Sequence, residues 1–221
     1  MQMVSDLVCP GKVLADIGTD HAYLPVYLCQ KGMIPRALAC DIRIGPLENA
    51  KNTVKVCGYE NQIECRLGSG LEPVKEGEAE EIVIAGMGGE TIVSILSACP
   101  WVQSSQIHLI LQPMTHAEDV RRYLFENGFS VLAEQTTQDE KHTYICFSAV
   151  YTGETIQPST TLCFAGSVGI QTMTESDRQY LENLTRYLMN LTKKHEAGSD
   201  SFKELEECIQ TIQSRLNRGN T

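Results

Sequence analysis

The sequence has no run approaching the ~20 uninterrupted apolar residues that a membrane-spanning helix requires, so no membrane association is expected. Its first ten residues, Met1 to Pro10, lack the basic flank and apolar stretch of a secretory leader, and an untargeted, cytoplasmic chain is expected. No two of its nine cysteines stand in C-x-x-C spacing, and nine is odd. That pattern is neither a disulfide scaffold nor a zinc ribbon. Most of these thiols lie in apolar runs, where cysteine packs as a small hydrophobe, and no metal is expected. A surplus of positive charge is missing too. Up to residue 150 there are 11 Lys and Arg against 19 Asp and Glu, and beyond it 7 against 9. Phosphate contacts supply most non-specific affinity for nucleic acid, so a nucleic-acid partner has to be held by a local patch on an acidic protein. With 42% hydrophobic and 21% charged residues in a chain of 221, disorder throughout is excluded, and there is room for one ordinary domain plus an appendage.

What is present is alternation. Val13 to Asp16, Ala37 to Asp41, Ile63 to Leu67, Ile82 to Ala85 and Ile107 to Leu111 are short apolar runs suited to strands. Between them, His21 to Lys31, Gly45 to Val56, Glu90 to Ala98 and His116 to Asn127 have helical spacing and end at Gly32, Gly58, Pro100 and Gly128. Strand–helix alternation predicts a parallel sheet with helices on both faces. Phe129 to Gln135 and His142 to Tyr151 have only the polar connection Thr136 to Lys141 between them, so they should pair antiparallel. The predicted class is α/β: a Rossmann-like sheet, mostly parallel with its last strand antiparallel, as in class I methyltransferases, followed by a C-terminal helical hairpin or coiled coil. The expected divisions are a cofactor-binding domain over 1–151, a Thr/Gly/Ser-rich linker or wrapping loop over 152–173, and the hairpin over 174–221. In the hairpin, Leu181, Leu184, Leu188 and Leu191 form one seam, and Phe202, Leu205, Ile209, Ile212 and Leu216 the other. Thr174-x-x-Asp177 and Ser201-x-x-Glu204 fit capping boxes that would open the two helices.

The chemistry concentrates at the strand ends. After the first strand comes Asp16-Ile17-Gly18-Thr19-Asp20-His21. Gly18 lets the backbone approach a ligand, and Asp16 suits the ammonium of a zwitterionic cofactor; the other reading of Gly18 is structural, a glycine wanted by the tight strand–helix turn itself. The second and third glycines of G-x-G-x-x-G are absent, which argues against a nicotinamide dehydrogenase. Asp41 closes the second strand 25 residues after Asp16, where an acid bonds ribose hydroxyls. Gly68-Ser69-Gly70 follows the third strand and Ala85-Gly86-Met87-Gly88-Gly89 the fourth. Open α/β sheets bind ligands at this edge. His21 is either a ligand contact or a helix cap, Gln112-Pro113 either functional or a strand terminator, and Met87 either functional or packing. Arg178, Arg186, Lys193, Lys194 and the pair Arg121-Arg122 are either an RNA-contacting strip or solvated surface.

The stretches Ala15-Asp16-Ile17-Gly18-Thr19-Asp20-His21-Ala22-Tyr23-Leu24-Pro25, Gly68-x-Gly70-Leu71, Ile84-Ala85-Gly86-Met87-Gly88-Gly89 and Leu111-Gln112-Pro113 resemble the bacterial tRNA (adenine-22-N1)-methyltransferases. The resemblance implies S-adenosylmethionine as cofactor, tRNA as substrate, and methyl transfer by direct in-line attack of adenine N1 on the sulfonium methyl. It implies cofactor contacts from Asp16, Gly18, Asp20, His21, Asp41, Ile42, Gly68, Ser69, Gly70, Ala85, Gly86 and Met87. Asp20, Met87, Gln112 and Pro113 are implied at the reacting centre. Two positions depart from the family pattern: Ser69 replaces an Asp, and Met114 replaces an Asn after Gln-Pro. The same fold could instead methylate a small molecule or a protein, or serve as an adaptor through its hairpin. A monomer or weak dimer is expected.

Overall fold

The apolar runs become seven strands in the computed structural model, which describes residues 1–140 and 142–218. They are β1 (Leu14–Ile17), β2 (Ala37–Asp41), β3 (Ile63–Leu67), β4 (Glu81–Gly88), β5 (His108–Thr115), β6 (Phe129–Gln138) and β7 (Thr143–Tyr151). Their spatial order is β3-β2-β1-β4-β5-β7-β6. β1 to β5 pair in parallel, and β7 lies antiparallel to both β5 and β6. The expected class therefore holds, with one refinement: the hairpin of β6 and β7 folds back, so that β7 sits inside the sheet and β6 forms the edge.

Burial explains the central strands. Both faces of the sheet are covered, so β1 and β2 are apolar at nearly every position. Successive residues feed opposite cores: Ile82 and Ile84 pack on one side, with Leu109 and Leu111, while Val83 and Ile110 pack on the other. The connecting helices are α1 (Gln2–Ser5) ahead of the sheet, then α2 (Tyr23–Gln30), α3 (Ile44–Cys57), α4 (Gly89–Ser97) and α5 (Ala117–Glu126). Gly58 ends α3 in the left-handed conformation, as a C-terminal glycine should. Two boundaries differ from the sequence reading. α2 starts two residues later than His21, because Asp20 and Ala22 are both left-handed and turn the chain first. β4 and β5 also run beyond Ala85 and Leu111, because a bulge at Gly86 lets pairing resume at Met87 with Pro113.

Residues 152–173 are more than a connecting loop. They contain α6 (Thr160–Ala165), whose N-terminus is capped by Ser159 Oγ accepting the Leu162 N–H. A six-residue helix is too short to show a period in sequence. It is clamped from the sheet side by Arg121, whose guanidinium is fully buried. Arg121 Nε donates to Glu134 Oε1 at 2.6 Å, its Nη1 donates to the carbonyls of Cys163 and Phe164, and the group lies over the Phe147 ring at 4.7 Å. Glu134 also accepts from Ser167. Of the Arg121-Arg122 pair, only Arg122 reaches solvent.

α7 (Glu175–Thr192) opens with the anticipated Thr174–Asp177 capping box. The second anticipated box does not form: α8 (Asp200–Arg218) starts at Asp200, and Ser199, not Ser201, accepts the Phe202 N–H. Leu181, Leu188, Leu205, Cys208 and Ile212 are buried in the core that also holds Phe147 and Ala149 of β7, so the seams pack against the sheet as well as each other. Lys141, at the end of the expected polar connection, and residues 219–221 of the expected hairpin lie outside the described residues. No helix among the described residues is long and apolar enough to cross a membrane.

Candidate functional site

β1, β2, β3 and β4 run parallel and release their loops at one edge, where a cleft of about 600 Å³ opens. At the end of β1 the chain turns through Gly18 with φ +77°, and the Gly18 and Thr19 N–H groups donate to the Cys40 carbonyl of β2. A Cβ at Gly18 would overlap the Met87 methyl, so both the backbone conformation and the neighbour require glycine there.

Asp16 is buried beside this turn, with 7% of its surface exposed. Its Oδ2 accepts the Thr19 hydroxyl at 2.6 Å. Among the described residues no Lys, Arg or His forms an ion pair with it. Burial pushes the Asp16 carboxyl up to about 6; the Thr19 hydrogen bond opposes the shift and the neighbouring Asp41 adds to it. A buried carboxylate without a cation is an acceptor for a ligand's ammonium group. Asp41, at the end of β2, is oriented by two backbone donors: Arg43 N–H to Oδ1 at 2.8 Å and Asp20 N–H to Oδ2 at 3.3 Å. Each of its oxygens keeps capacity for a further hydroxyl donor.

Next to Asp41, Ile42 is 63% exposed and lines the cleft. Opposite chemistry comes from Gly68, Ser69 and Gly70 after β3, backed by Ile95 of α4. An apolar side chain and a bare backbone together make a slot suited to a flat ring. Within β4, Gly86 forms the bulge, and its N–H donates to Gln112 Oε1 at 3.0 Å. The Gln112 amide donates in turn to the Pro113 carbonyl at 3.1 Å. Gln112 thus holds the shape of the glycine loop from behind.

The cleft brings together Gly18, Asp20, Asp41, Ile42, Gly68, Ser69, Gly70, Ala85, Gly86 and Met87. Asp16 is buried next to it. Three residues fall elsewhere. His21 stacks on Tyr23, with ring centroids 5.1 Å apart, and approaches Asp20 at 3.6 Å. Gln112 faces backbone, and Pro113 lines a second cavity of about 360 Å³ with Met114, His116, Tyr180 and Tyr187. Arg43, Thr91, Ser94 and Ile95 line the main cleft without having been anticipated. Thr91, Ser94 and Ile95 stand at three- and four-residue spacing directly after the glycine loop, which is the sequence signal for one helix face aimed at the site.

A family model described as a methyltransferase domain matches residues 1–147. Over 144 residues the chain is 39% identical to the tRNA (adenine(22)-N(1))-methyltransferase of Bacillus subtilis, a stretch covering 65% of this chain and 60% of that one. The matched segment spans about 60% of the length of the curated relatives. Among solved structures, the B. subtilis M1A22 tRNA methyltransferase TrmK superposes with a TM-score of 0.81 at 27% identity, covering 97% of this chain and 96% of that one. Sp1610 of Streptococcus pneumoniae, in complex with S-adenosyl-L-methionine, superposes with a TM-score of 0.82 at 27% identity, covering 97% of both chains.

Proposed function

The chain belongs to the methyltransferase-domain family, and from that premise we propose that it methylates N1 of an adenine in tRNA, at position 22, using S-adenosylmethionine. The observation that carries this reading is Asp16: a buried carboxylate with no ion-pair partner among the described residues, set beside a glycine turn and a second acid, fits an amino-acid ammonium next to a ribose. When bound, S-adenosylmethionine supplies an electrophilic methyl on a sulfonium. Asp16 then takes the ammonium end, Asp41 the ribose hydroxyls, and Ile42 with Gly68, Ser69 and Gly70 the adenine. Asp20, Met87 and Ala85-Gly86 border the space in which the acceptor arrives.

Adenine N1 has a free lone pair, so no side chain has to remove a proton before transfer. The protein's contribution is orientation and a polar surrounding for the cationic product base. N1 lies on the pairing edge, so the target must leave its stack. Met114, His116, Tyr180 and Tyr187 around the second cavity supply apolar and aromatic faces for unstacked bases. Gln112 acts as a positioning residue for the Gly86 bulge. Arg178 donates to the Leu216 carbonyl, whereas Arg186, Lys193 and Lys194 are exposed on or just after α7, the first two reaching only the neighbouring Asn183 and Asn190 side chains, and supply the phosphate contacts. The setting is cytoplasmic, and the working form is a monomer or weak dimer.

The test pairs calorimetric binding of S-adenosylmethionine with transfer from labelled cofactor to tRNA lacking the modification, followed by nucleoside analysis. Label recovered as 1-methyladenosine is the expected result. Cofactor binding without labelled tRNA would redirect the activity to a small molecule or protein. Absence of cofactor binding would refute the enzymatic reading and favour an adaptor.

A further inference from the structure

At the sheet edge opposite the cleft, three side chains remote in sequence converge. Cys9 lies in the loop before β1, Glu81 begins β4 and His108 begins β5. Their potential ligand atoms all lie within 4.8 Å of one another. Cys9 Sγ is 3.7 Å from His108 Nδ1, which is 2.8 Å from Glu81 Oε2, and the Cys9 N–H donates to that same oxygen at 3.3 Å. On its far side the imidazole is fixed by Ser148, whose Oγ is 2.6 Å from Nε2.

Glu81 is completely buried, and its Oε1 has no hydrogen-bond partner among the described residues. An unsatisfied buried carboxylate oxygen is costly, and native folds seldom leave one without a reason. No Lys or Arg among the described residues forms an ion pair with Glu81; Lys12, the cation nearby, is engaged by Glu80 at 3.2 Å. We propose that Cys9, Glu81 and His108 form a binding site for a single zinc-class divalent cation, which would satisfy Glu81 and tie the segment before β1 to the base of the sheet.

The geometry suits such an ion. Zinc bonds of about 2.3 Å to sulfur and about 2.05 Å to nitrogen give a tetrahedral S–N edge of about 3.6 Å, against the observed Cys9–His108 separation of 3.7 Å. The corresponding N–O edge is about 3.4 Å. The His108–Glu81 contact therefore opens by about 0.6 Å on binding, or the partnerless Oε1 turns inward. In the metal-free fold Nδ1 shares a proton with Glu81 Oε2 at 2.8 Å; binding replaces that proton by the ion, and Nε2–H then donates to Ser148 Oγ, the outer arrangement found around ligating histidines. One thiolate, one imidazole and one carboxylate favour zinc over magnesium or calcium, which take oxygen ligands. Because Cys9 is exposed, the fourth position opens to solvent.

The order Glu81–His108–Ser148 also matches a hydrolytic triad, but Ser148 is 5% exposed and sits in β7 between two flanking strands, where no substrate carbonyl can reach its hydroxyl. The site is also independent of the methyl-transfer reading, since it lies at the other end of the strands.

The experiment uses the full chain, stripped with a chelator and desalted, then titrated with Zn²⁺ against a chromophoric chelator and separately with Co²⁺ by absorption spectroscopy. Expected are a single tight equivalent of Zn²⁺ and a thiolate-to-cobalt charge-transfer band in the near ultraviolet. Cys9→Ser, an exposed change that leaves the core intact, should abolish the band and weaken Zn²⁺ binding at least ~10-fold. Cys57→Ser, at another exposed thiol, should leave both unchanged. Lack of Zn²⁺ uptake by the wild-type chain would overturn the proposal. So would undiminished affinity in Cys9→Ser. Cobalt uptake without the thiolate band would do the same, and would place the ion on other groups, such as His116, Glu118 and Asp119.

Discussion

Replacing Asp16 with Asn separates what the folded chain tolerates from what its ligand requires. The Asp16 carboxyl rises from an ordinary 3.8 to about 6 in the fold. At about 1.4 kcal/mol per pKa unit, ionised Asp16 costs the ligand-free fold up to about 3 kcal/mol at neutral pH. The sign follows from proton affinity: the folded state holds this proton more tightly than the unfolded chain. The contribution is therefore favourable below pH ~4 and is lost as pH rises through ~6. Asn has the same shape and can still accept the Thr19 hydroxyl, so Asp16→Asn should stabilise the ligand-free protein at pH 7.5 by as much as ~3 kcal/mol. For a chain of this size that is a rise of several degrees in Tm, at roughly 2–4 °C per kcal/mol. The gain should shrink toward zero near pH 4. Cofactor affinity should move the other way. In the wild type it should weaken about tenfold per pH unit below ~6 as the carboxylate protonates, whereas Asp16→Asn should bind at least ~10-fold more weakly and without that dependence. Thermal unfolding and calorimetric titration of S-adenosylmethionine between pH 4.5 and 7.5 measure both. A variant no more stable than wild type at pH 7.5, with an unchanged pH profile of affinity, would refute the assignment of Asp16.

Gly18→Ala combines positive φ with overlap on the Met87 methyl, and should lose about 1–3 kcal/mol of stability together with cofactor binding; Met87→Ala in that background should restore only the packing part, read by thermal unfolding. Ile42→Ala removes an apolar face from a side chain already exposed, so cofactor Kd should rise about tenfold while stability moves by less than ~0.5 kcal/mol. Equal losses in both measurements would contradict its place beside the ring. Glu134→Ala strands Arg121 as a buried, unpaired cation and should cost about 3–5 kcal/mol in chemical denaturation; a cost below ~1 kcal/mol would mean that the pair contributes little to the docking of α6.

Asp16, Gly18, Asp41 and the Ala85–Met87 turn could be located from sequence because short apolar runs have definite ends, and parallel strands bring those ends to one edge. The Thr174–Asp177 cap was legible because its chemistry is local. What was hidden is non-local. That β7 would lie inside the sheet and β6 at its edge depends on which strand covers β5, and no period reports that. Arg121 has the sequence character of a surface residue until Glu134 and the α6 carbonyls surround it. Gln112 was expected at the reacting centre, yet the register that carries β5 past its apolar run turns its amide onto Gly86. Cys9, Glu81 and His108 are separated by 72 and 27 residues, so no spacing rule could join them.

The position of β7 bears on how the chain is assembled as it is synthesised. Strands β1 to β5 can associate in the order in which they leave the ribosome. β6 follows but has no seat, because its neighbour in the finished sheet has yet to be made. Until residues 143–151 emerge, the nascent protein carries the unpaired flank of Leu109, Ile110 and Leu111, an invitation to intermolecular strand pairing. Closure waits for one late segment, and until it arrives the open edge of β5 is the part of the nascent sheet most exposed to aggregation.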